Sequence, residues 1–192
     1  MRQKLTSARG QSLVEFALLL PLLFTISLSV VEVSYALLHQ HVVVRLSREG
    51  ANLISRDTNL QDAATAMVSM SSLPVNFATN SEVILSVIKR GGTIGSSNYN
   101  KDILYQRYAY GALGVASALH TAGPGSFGGA PDYQAANADS DTSLQITNMP
   151  ATLIDTGGFL YVAEIYTTHQ LLTPVGNFGI PVPTQLYSIA YF

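Results

Sequence analysis

The sequence predicts an α+β protein in which one long N-terminal helix packs on a small antiparallel sheet. Three observations support this prediction. An almost uncharged apolar run opens the chain, an amphipathic helical pattern continues it, and four short runs rich in β-branched and aromatic residues follow beyond residue 80. The apolar run predicts a membrane-spanning half of the helix, and the amphipathic pattern predicts the half that lies on the sheet.

The apolar run extends from Phe16 to Leu38 and contains one charged residue, Glu32. Its roughly 23 residues would form about 35 Å of helix, which is enough to cross a bilayer core. We therefore expect a transmembrane helix over residues 11–38 and an extracytoplasmic α+β domain over residues 39–192.

Basic residues precede the apolar run without any acidic residue nearby: Arg2, Lys4 and Arg9. The positive-inside rule then predicts a single-pass inner-membrane protein with a cytoplasmic N-terminus and a periplasmic or extracellular C-terminal domain. A cleaved secretory signal is the alternative. Its apolar core would be shorter and would end in small residues, whereas this run ends in Tyr35-Ala36-Leu37-Leu38-His39, so a retained anchor is favoured.

Charge and composition exclude several classes of function. The chain has 192 residues and a net charge of −2; without residues 1–10, seven basic and twelve acidic residues remain, which gives −5. The remaining sequence has no basic patch that would indicate nucleic acid as a partner. The chain has no cysteine, which excludes disulfides, thiol nucleophiles and thiolate metal sites.

The residues around the start of the apolar run form a specific motif. Gly10 and Gln11 are followed by Glu15 and Phe16, and this arrangement resembles the processing site of type IV prepilins, where a prepilin peptidase cuts after the glycine. The longer run SLVEFALLLPLLF, continuing through VVEVSYALL to REGANLISR, is similar to the TadE-like pseudopilins of tight-adherence pili. The resemblance covers residues 9 to about 56, under a third of the chain.

This resemblance implies a pilin-like fold and a set of partners. The leader, residues 1–10, would be removed, and the chain would act as a minor pilin or pseudopilin in pilus assembly. Its partners would be the prepilin peptidase, other pilins or pseudopilins, the inner-membrane assembly platform and membrane lipid. Whether the chain enters the filament, its tip or its base stays open, and the alternative function is a membrane-anchored adhesion or binding module.

Four residues of the apolar helix are predicted to act in assembly: Glu15, Phe16, Pro21 and Glu32. After cleavage, Glu15 would lie one helical turn from the new amino group of Gln11, its own or a neighbour's, and the two charges would neutralise each other. The alternative is that Glu15 lies in the headgroup layer. Pro21 removes a backbone hydrogen bond and predicts a kink.

Glu32 is a charged residue deep in the apolar run, and such a residue indicates a functional site. It would either pair with a partner helix or extend to the outer interface near Tyr35 and His39. Neither alternative is decided by the sequence.

Beyond Leu38, the predicted helix has an apolar and a charged side. Val42, Leu46, Leu53 and Ile54 are expected to face the sheet, and the opposite side carries Asn52 and a helix-end motif of Arg45, Arg48, Glu49 and Arg56. Arg45 and Glu49 are spaced to pair across one turn.

The outer domain is predicted to contain one further helix and four strands. Thr58 or Asn59 would cap the helix, which runs to about Ser72 with Leu60, Ala63, Ala64, Met67 and Val68 buried. The strands are expected at residues 82–90, 103–110, 159–168 and 184–192, with one or two helical turns at 112–119 and a flexible surface loop at about 121–145.

The sequence predicts no enzyme, no cofactor and no metal site. His39, His41, His120 and His169 are too scattered for a metal motif, and no nucleophile elbow or phosphate loop occurs. Asp132, Asp139 and Asp141 offer oxygen ligands for calcium, but without the glycine and terminal glutamate of an EF-hand, solvated acids are favoured. Tyrosines of the second strand could stack on a sugar, although sheets often carry tyrosine.

Overall fold

A computed structural model describes residues 7–150, 153–174, 176, 181 and 183–192, the first three by backbone alone. The chain divides into two compact units. The helical unit consists of Met1–Leu38 and Gln170–Thr184, and the sheet unit consists of His39–His169 and Gln185–Phe192.

The first helix, α1, is Ser7–Ile54 and continues through Pro21 without ending. Three hydroxyl side chains of its apolar part donate to carbonyls four residues earlier: Thr25 to Pro21 at 2.9 Å, Ser29 to Thr25 at 2.8 Å and Ser34 to Val30 at 2.8 Å. Because these polar groups are bonded within the helix itself, they are compatible with an apolar solvent.

The C-terminal part of α1 faces the core of the sheet unit with Val43, Leu46, Ala51 and Ile54. Leu46 and Ile54 are buried there as predicted, and Leu53 packs against the same core while half-buried, so the prediction was wrong for Val42 alone, which is half-buried outside this cluster. Gly50 lies in the middle of this contact. A Cβ atom there would lie 2.7 Å from the end of the Met67 side chain and 3.1 Å from the Cβ atom of Ala163, so α1 approaches its neighbours closely at this position.

The second helix, α2, is Leu60–Met70, and Asn59 is its N-cap. The Asn59 side chain accepts from the Asp62 backbone N–H at 2.8 Å and donates to the Asp62 carboxylate at 2.8 Å, so the second of the two predicted caps is correct. The predicted buried face is confirmed except for Val68, which is exposed.

Four antiparallel strands form one sheet: β1 Ser81–Arg90, β2 Asp102–Gly111, β3 Phe159–Thr168 and β4 Gln185–Tyr191. Their order is β2-β1-β3-β4, so β1 and β3 are central. The predicted α+β class and all four predicted strands are confirmed, with ends that differ by at most one residue.

The two faces of the sheet have different covers. One face packs Val83, Leu85, Val87, Ala163 and Ile165 in the same core cluster as buried residues of α1 and α2. On the other face, the segment after β2 brings Leu119 into a cluster with Ile88, Val162 and Ile154.

The helical turns predicted at residues 112–119 are absent, and this prediction was wrong. The backbone N–H of Val115 donates to Glu82 at 3.0 Å, and that of Ala118 donates to Glu164 at 3.3 Å. Because carboxylates of the sheet take these donors, the segment crosses the sheet as irregular chain.

The predicted loop at 121–145 contains a single 3₁₀ turn, Thr142–Leu144, and is bonded to the rest of the sheet unit. The buried side chain of Asn98 donates to the carbonyls of Ala138 and Asp141 at 2.7 and 2.9 Å. Leu144 is buried against Ile103 of β2. The segment therefore supplies part of the core.

Candidate functional site

The helical unit exposes an unusually apolar surface. Fifteen large apolar side chains of α1 between Leu13 and Leu38 are 39 to 73% exposed. Within the described chain, one helix, Gly10–Ile54, is long and apolar enough to cross a membrane. Such a surface is stable in contact with lipid or with other apolar helices.

The predicted processing site lies at the start of this surface. Gly10 is exposed, and an added Cβ atom would meet no atom within 4 Å. The Gln11 side chain donates to the Glu15 carboxylate at 3.0 Å, so one helical turn brings residue 11 and Glu15 together. Phe16 is 60% exposed beside them.

Glu32 is fully buried in the helical unit, and the structure gives its carboxylate partners that the sequence did not indicate. The backbone N–H of Leu172 lies 3.1 Å from both carboxylate oxygens. Thr173 donates to Oε2 from its N–H at 2.8 Å and from its hydroxyl at 2.7 Å. These bonds fasten the chain just after β3 to the apolar helix, as charge-assisted hydrogen bonds.

The helix-end motif lies on the solvent side of α1. Arg45, Arg48, Glu49 and Arg56 are all exposed, and no ion pair joins Arg45 to Glu49 among the described residues. Arg45 and Glu49 line a groove of about 460 Å³ together with His41 and Met70. The positive and negative side chains of the motif are therefore both accessible to a partner in the solvent.

Two histidines that the sequence treated as scattered lie in contact. His39 and His169 are 130 residues apart, both are buried, and their Nδ1 atoms are 3.2 Å apart. One imidazole must donate and the other accept, so two charged rings do not fit this arrangement. Burial, and then the charge of His169, lowers the pKa of His39.

Because of this histidine contact, the stability of the folded chain is expected to decrease as the pH decreases. Because the pKa of His39 is lowered from 6.5 in the folded chain, the unfolded chain takes up a proton first as the pH drops below 6.5. The stabilisation by neutral His39 is therefore complete above about pH 6.5. It is lost as the pH falls from 6.5 to the lower pKa that His39 has in the folded chain. We expect the full chain in detergent to melt at a lower temperature at about pH 5.5 than at about pH 8.

The His39→Gln variant should lose most of this difference, and the exposed neighbour variant His41→Gln should keep it. Comparison with the parent chain cancels the contribution of other groups, such as Glu164. Equal pH dependence in all three chains would contradict the assignment to His39.

The face of the sheet opposite α1 and α2 carries a half-buried arginine, Arg107, and a fully buried glutamate, Glu164, which the sequence analysis treated only as strand residues. Arg107 donates to the hydroxyl of Ser86 at 3.2 Å, to the hydroxyl of Ser117 at 3.1 Å and to the carbonyl of Leu119 at 3.2 Å. Burial raises the pKa of Glu164, and a hydrogen bond from Ser117 and the charge of Arg107 oppose this shift. In the sequence, the charge of Glu164 in the middle of an otherwise apolar strand was the signal that could have indicated this contact.

The remaining sequence candidates have structural contacts of their own. Asp139 accepts from Thr93 at 2.9 Å, and Asp141 accepts from the N–H and hydroxyl of Ser143 at 2.9 and 2.6 Å. Asp132 is exposed, and the described residues hold no cluster of three metal-ligating side chains. The ring of Tyr108 stacks on Tyr133 with centroids 4.4 Å apart, which occupies a face that a sugar would need.

Comparison with known proteins locates a family match on α1. A family model described as TadE-like protein matches residues 10–52, while no curated protein and no solved structure matches the chain. The match begins at Gly10, covers the predicted transmembrane segment at residues 11–38 and ends two residues before Ile54, so it contains no residue of the sheet. The predicted resemblance is therefore confirmed: residues 10–52 of this chain match the TadE-like family model.

Proposed function

We propose that the chain is a minor pilin or pseudopilin that acts in the assembly of a tight-adherence pilus. The observation that carries the proposal is that the TadE-like match starts at Gly10, where the predicted leader ends. The exposed apolar helix that follows is suited to lipid before assembly and to other helices afterwards. The proposed role is structural and not catalytic.

In this proposal, a prepilin peptidase cuts between Gly10 and Gln11. The new α-ammonium at Gln11 lies one turn before Glu15, where the Gln11 side chain already donates to the carboxylate. An unpaired carboxylate is costly in an apolar medium, and an ammonium within the same turn or on a neighbouring subunit would offset that cost. Pairing between subunits would also fix the register of their helices.

The proposed topology places the N-terminus in the cytoplasm and the sheet unit outside the inner membrane. The three basic residues before Gln11 support this orientation. The assembly platform and the other pilins would then meet the chain through the apolar helix. The helix-end charges would meet them outside the bilayer.

The experiment is complementation of cells that lack the gene. The parent chain should restore pili, and Glu15→Gln should reduce the yield of sheared pili at least about tenfold, because the loss of one charge pair in low dielectric exceeds the ~1.4 kcal/mol that corresponds to tenfold. Asp155→Asn is the matched control, since it also removes one exposed carboxylate charge but lies in the sheet unit, outside the helix-end motif.

Two outcomes would contradict parts of this account. Normal piliation after deletion of the gene would refute the proposed function. Normal piliation with Glu15→Gln, together with full membrane levels of the chain, would refute the pairing alone.

A further inference from the structure

We propose that the segment Gln170–Pro174 is a lipid-contacting element, with Leu171 and Leu172 in the bilayer interface beside the membrane helix. Glu32 holds the segment there. The proposed partner is the acyl-chain and headgroup boundary of the bilayer, and it is a contact separate from the transmembrane helix itself.

The segment has the chemistry of a lipid contact. Leu171 and Leu172 are 37% and 61% exposed, although they are adjacent large apolar residues. The sequence from Gln170 to Thr184 contains no Asp, Glu, Lys or Arg. Exposed paired leucines in an uncharged stretch are unfavourable in water and favourable in the interface.

The hydrogen bonds to Glu32 fix where the segment lies along the helix. Leu172 and Thr173 donate directly to the Glu32 carboxylate, so both lie at the level of residue 32. Its neighbours Val31 and Val33 are 47% and 54% exposed. Leu172 is therefore continuous with the lipid-facing surface of α1, about 9 Å before the predicted end of the span.

The Glu32 carboxylate also allows the irregular backbone of the segment to lie in an apolar medium. Irregular backbone is tolerated in an apolar medium only where its polar groups are bonded within the protein. Glu32 satisfies two consecutive backbone N–H groups and the Thr173 hydroxyl, and these donors in turn stabilise a buried carboxylate. In the interface, the Glu32 carboxylate therefore requires the donors of the segment, and the backbone of the segment requires the carboxylate as acceptor.

Tryptophan fluorescence tests this placement, because the chain contains no tryptophan. Leu172→Trp would be measured in the full chain, reconstituted in vesicles of phosphatidylcholine and phosphatidylglycerol. One set of vesicles carries a nitroxide near the headgroup and a second carries it near the end of the acyl chain. Phe24→Trp, in the apolar helix, and Ile94→Trp, at a residue 84% exposed in the sheet unit, are the deep and aqueous controls.

We expect the emission of Leu172→Trp to shift to the blue by about 10 nm relative to Ile94→Trp, as for tryptophan at the membrane interface. The shallow nitroxide should quench it more strongly than the deep nitroxide, and Phe24→Trp should show the reverse order. Quenching no stronger than that of Ile94→Trp would overturn the proposal. A blue shift without lipid quenching would assign the leucines to a second copy of the chain and would also overturn it.

The role of Glu32 is tested in the same background. Glu32→Leu removes the acceptor but keeps an apolar helix, so shallow quenching of Leu172→Trp should fall at least about twofold, whereas Phe24→Trp should keep its deep quenching. Thr173→Val, which removes one donor, should have the same effect to a smaller degree. Unchanged quenching with Glu32→Leu would refute the tether.

Discussion

Replacing Gly10 with valine is expected to leave the leader on nearly every copy of the chain, with a loss of processing of at least about tenfold. A β-branched side chain would stand beside the proposed scissile bond, where glycine lets a peptidase approach the backbone closely. The chain itself provides no competing explanation, because a Cβ atom at position 10 meets nothing within 4 Å. Intact-mass measurement of the membrane-extracted variant gives the processed fraction.

Ser12→Ala is the control for this prediction, since Ser12 is exposed two residues away. It should be processed like the parent chain. Normal cleavage of Gly10→Val would show that the glycine at position 10 does not define the site.

Replacing Arg107 with methionine is expected to lower the free energy of unfolding by about 3 kcal/mol. The change removes donors to Ser86, Ser117 and the carbonyl of Leu119, and it removes the positive charge that opposes the raised pKa of Glu164. The segment that crosses the far face of the sheet would lose its main polar attachment to β2. Urea unfolding of the full chain in detergent measures the loss.

Arg48→Met is the matched control, because Arg48 is exposed on α1 and the same substitution should stay within about 0.5 kcal/mol of the parent chain. A loss below about 1 kcal/mol for Arg107→Met would mean that water reaches these groups and that the network contributes little. The attachment of the segment after β2 to that face of the sheet would then have to depend on other contacts.

The helices and strands followed from local patterns that physical rules constrain strongly. The period of α1, the pairing of Asn59 with Asp62 at the start of α2 and the β-branched run of β1 each specify a structure with neighbours close in the sequence. The family resemblance depended on the same local residues. For this reason the α+β class and the TadE-like segment could be predicted from the sequence.

The contacts that organise the candidate site could not be predicted in the same way. Glu32 meets backbone N–H groups 140 residues later, and backbone donors leave no mark in a sequence. His39 and His169 come together only because β3 ends beside α1 within the sheet unit. Gly50 of α1 lies close to the side chain of Met67 in α2, and the helical period alone does not indicate this tertiary contact.

The central claim is that Gly10 ends a leader and Gln11 begins the functional helix. The most direct measurement is the intact mass of the unaltered chain extracted from the membranes of cells with an active prepilin peptidase. The account predicts a mass lower than that of residues 1–192 by the mass of residues 1–10. The mass of residues 1–192 in those cells would contradict it.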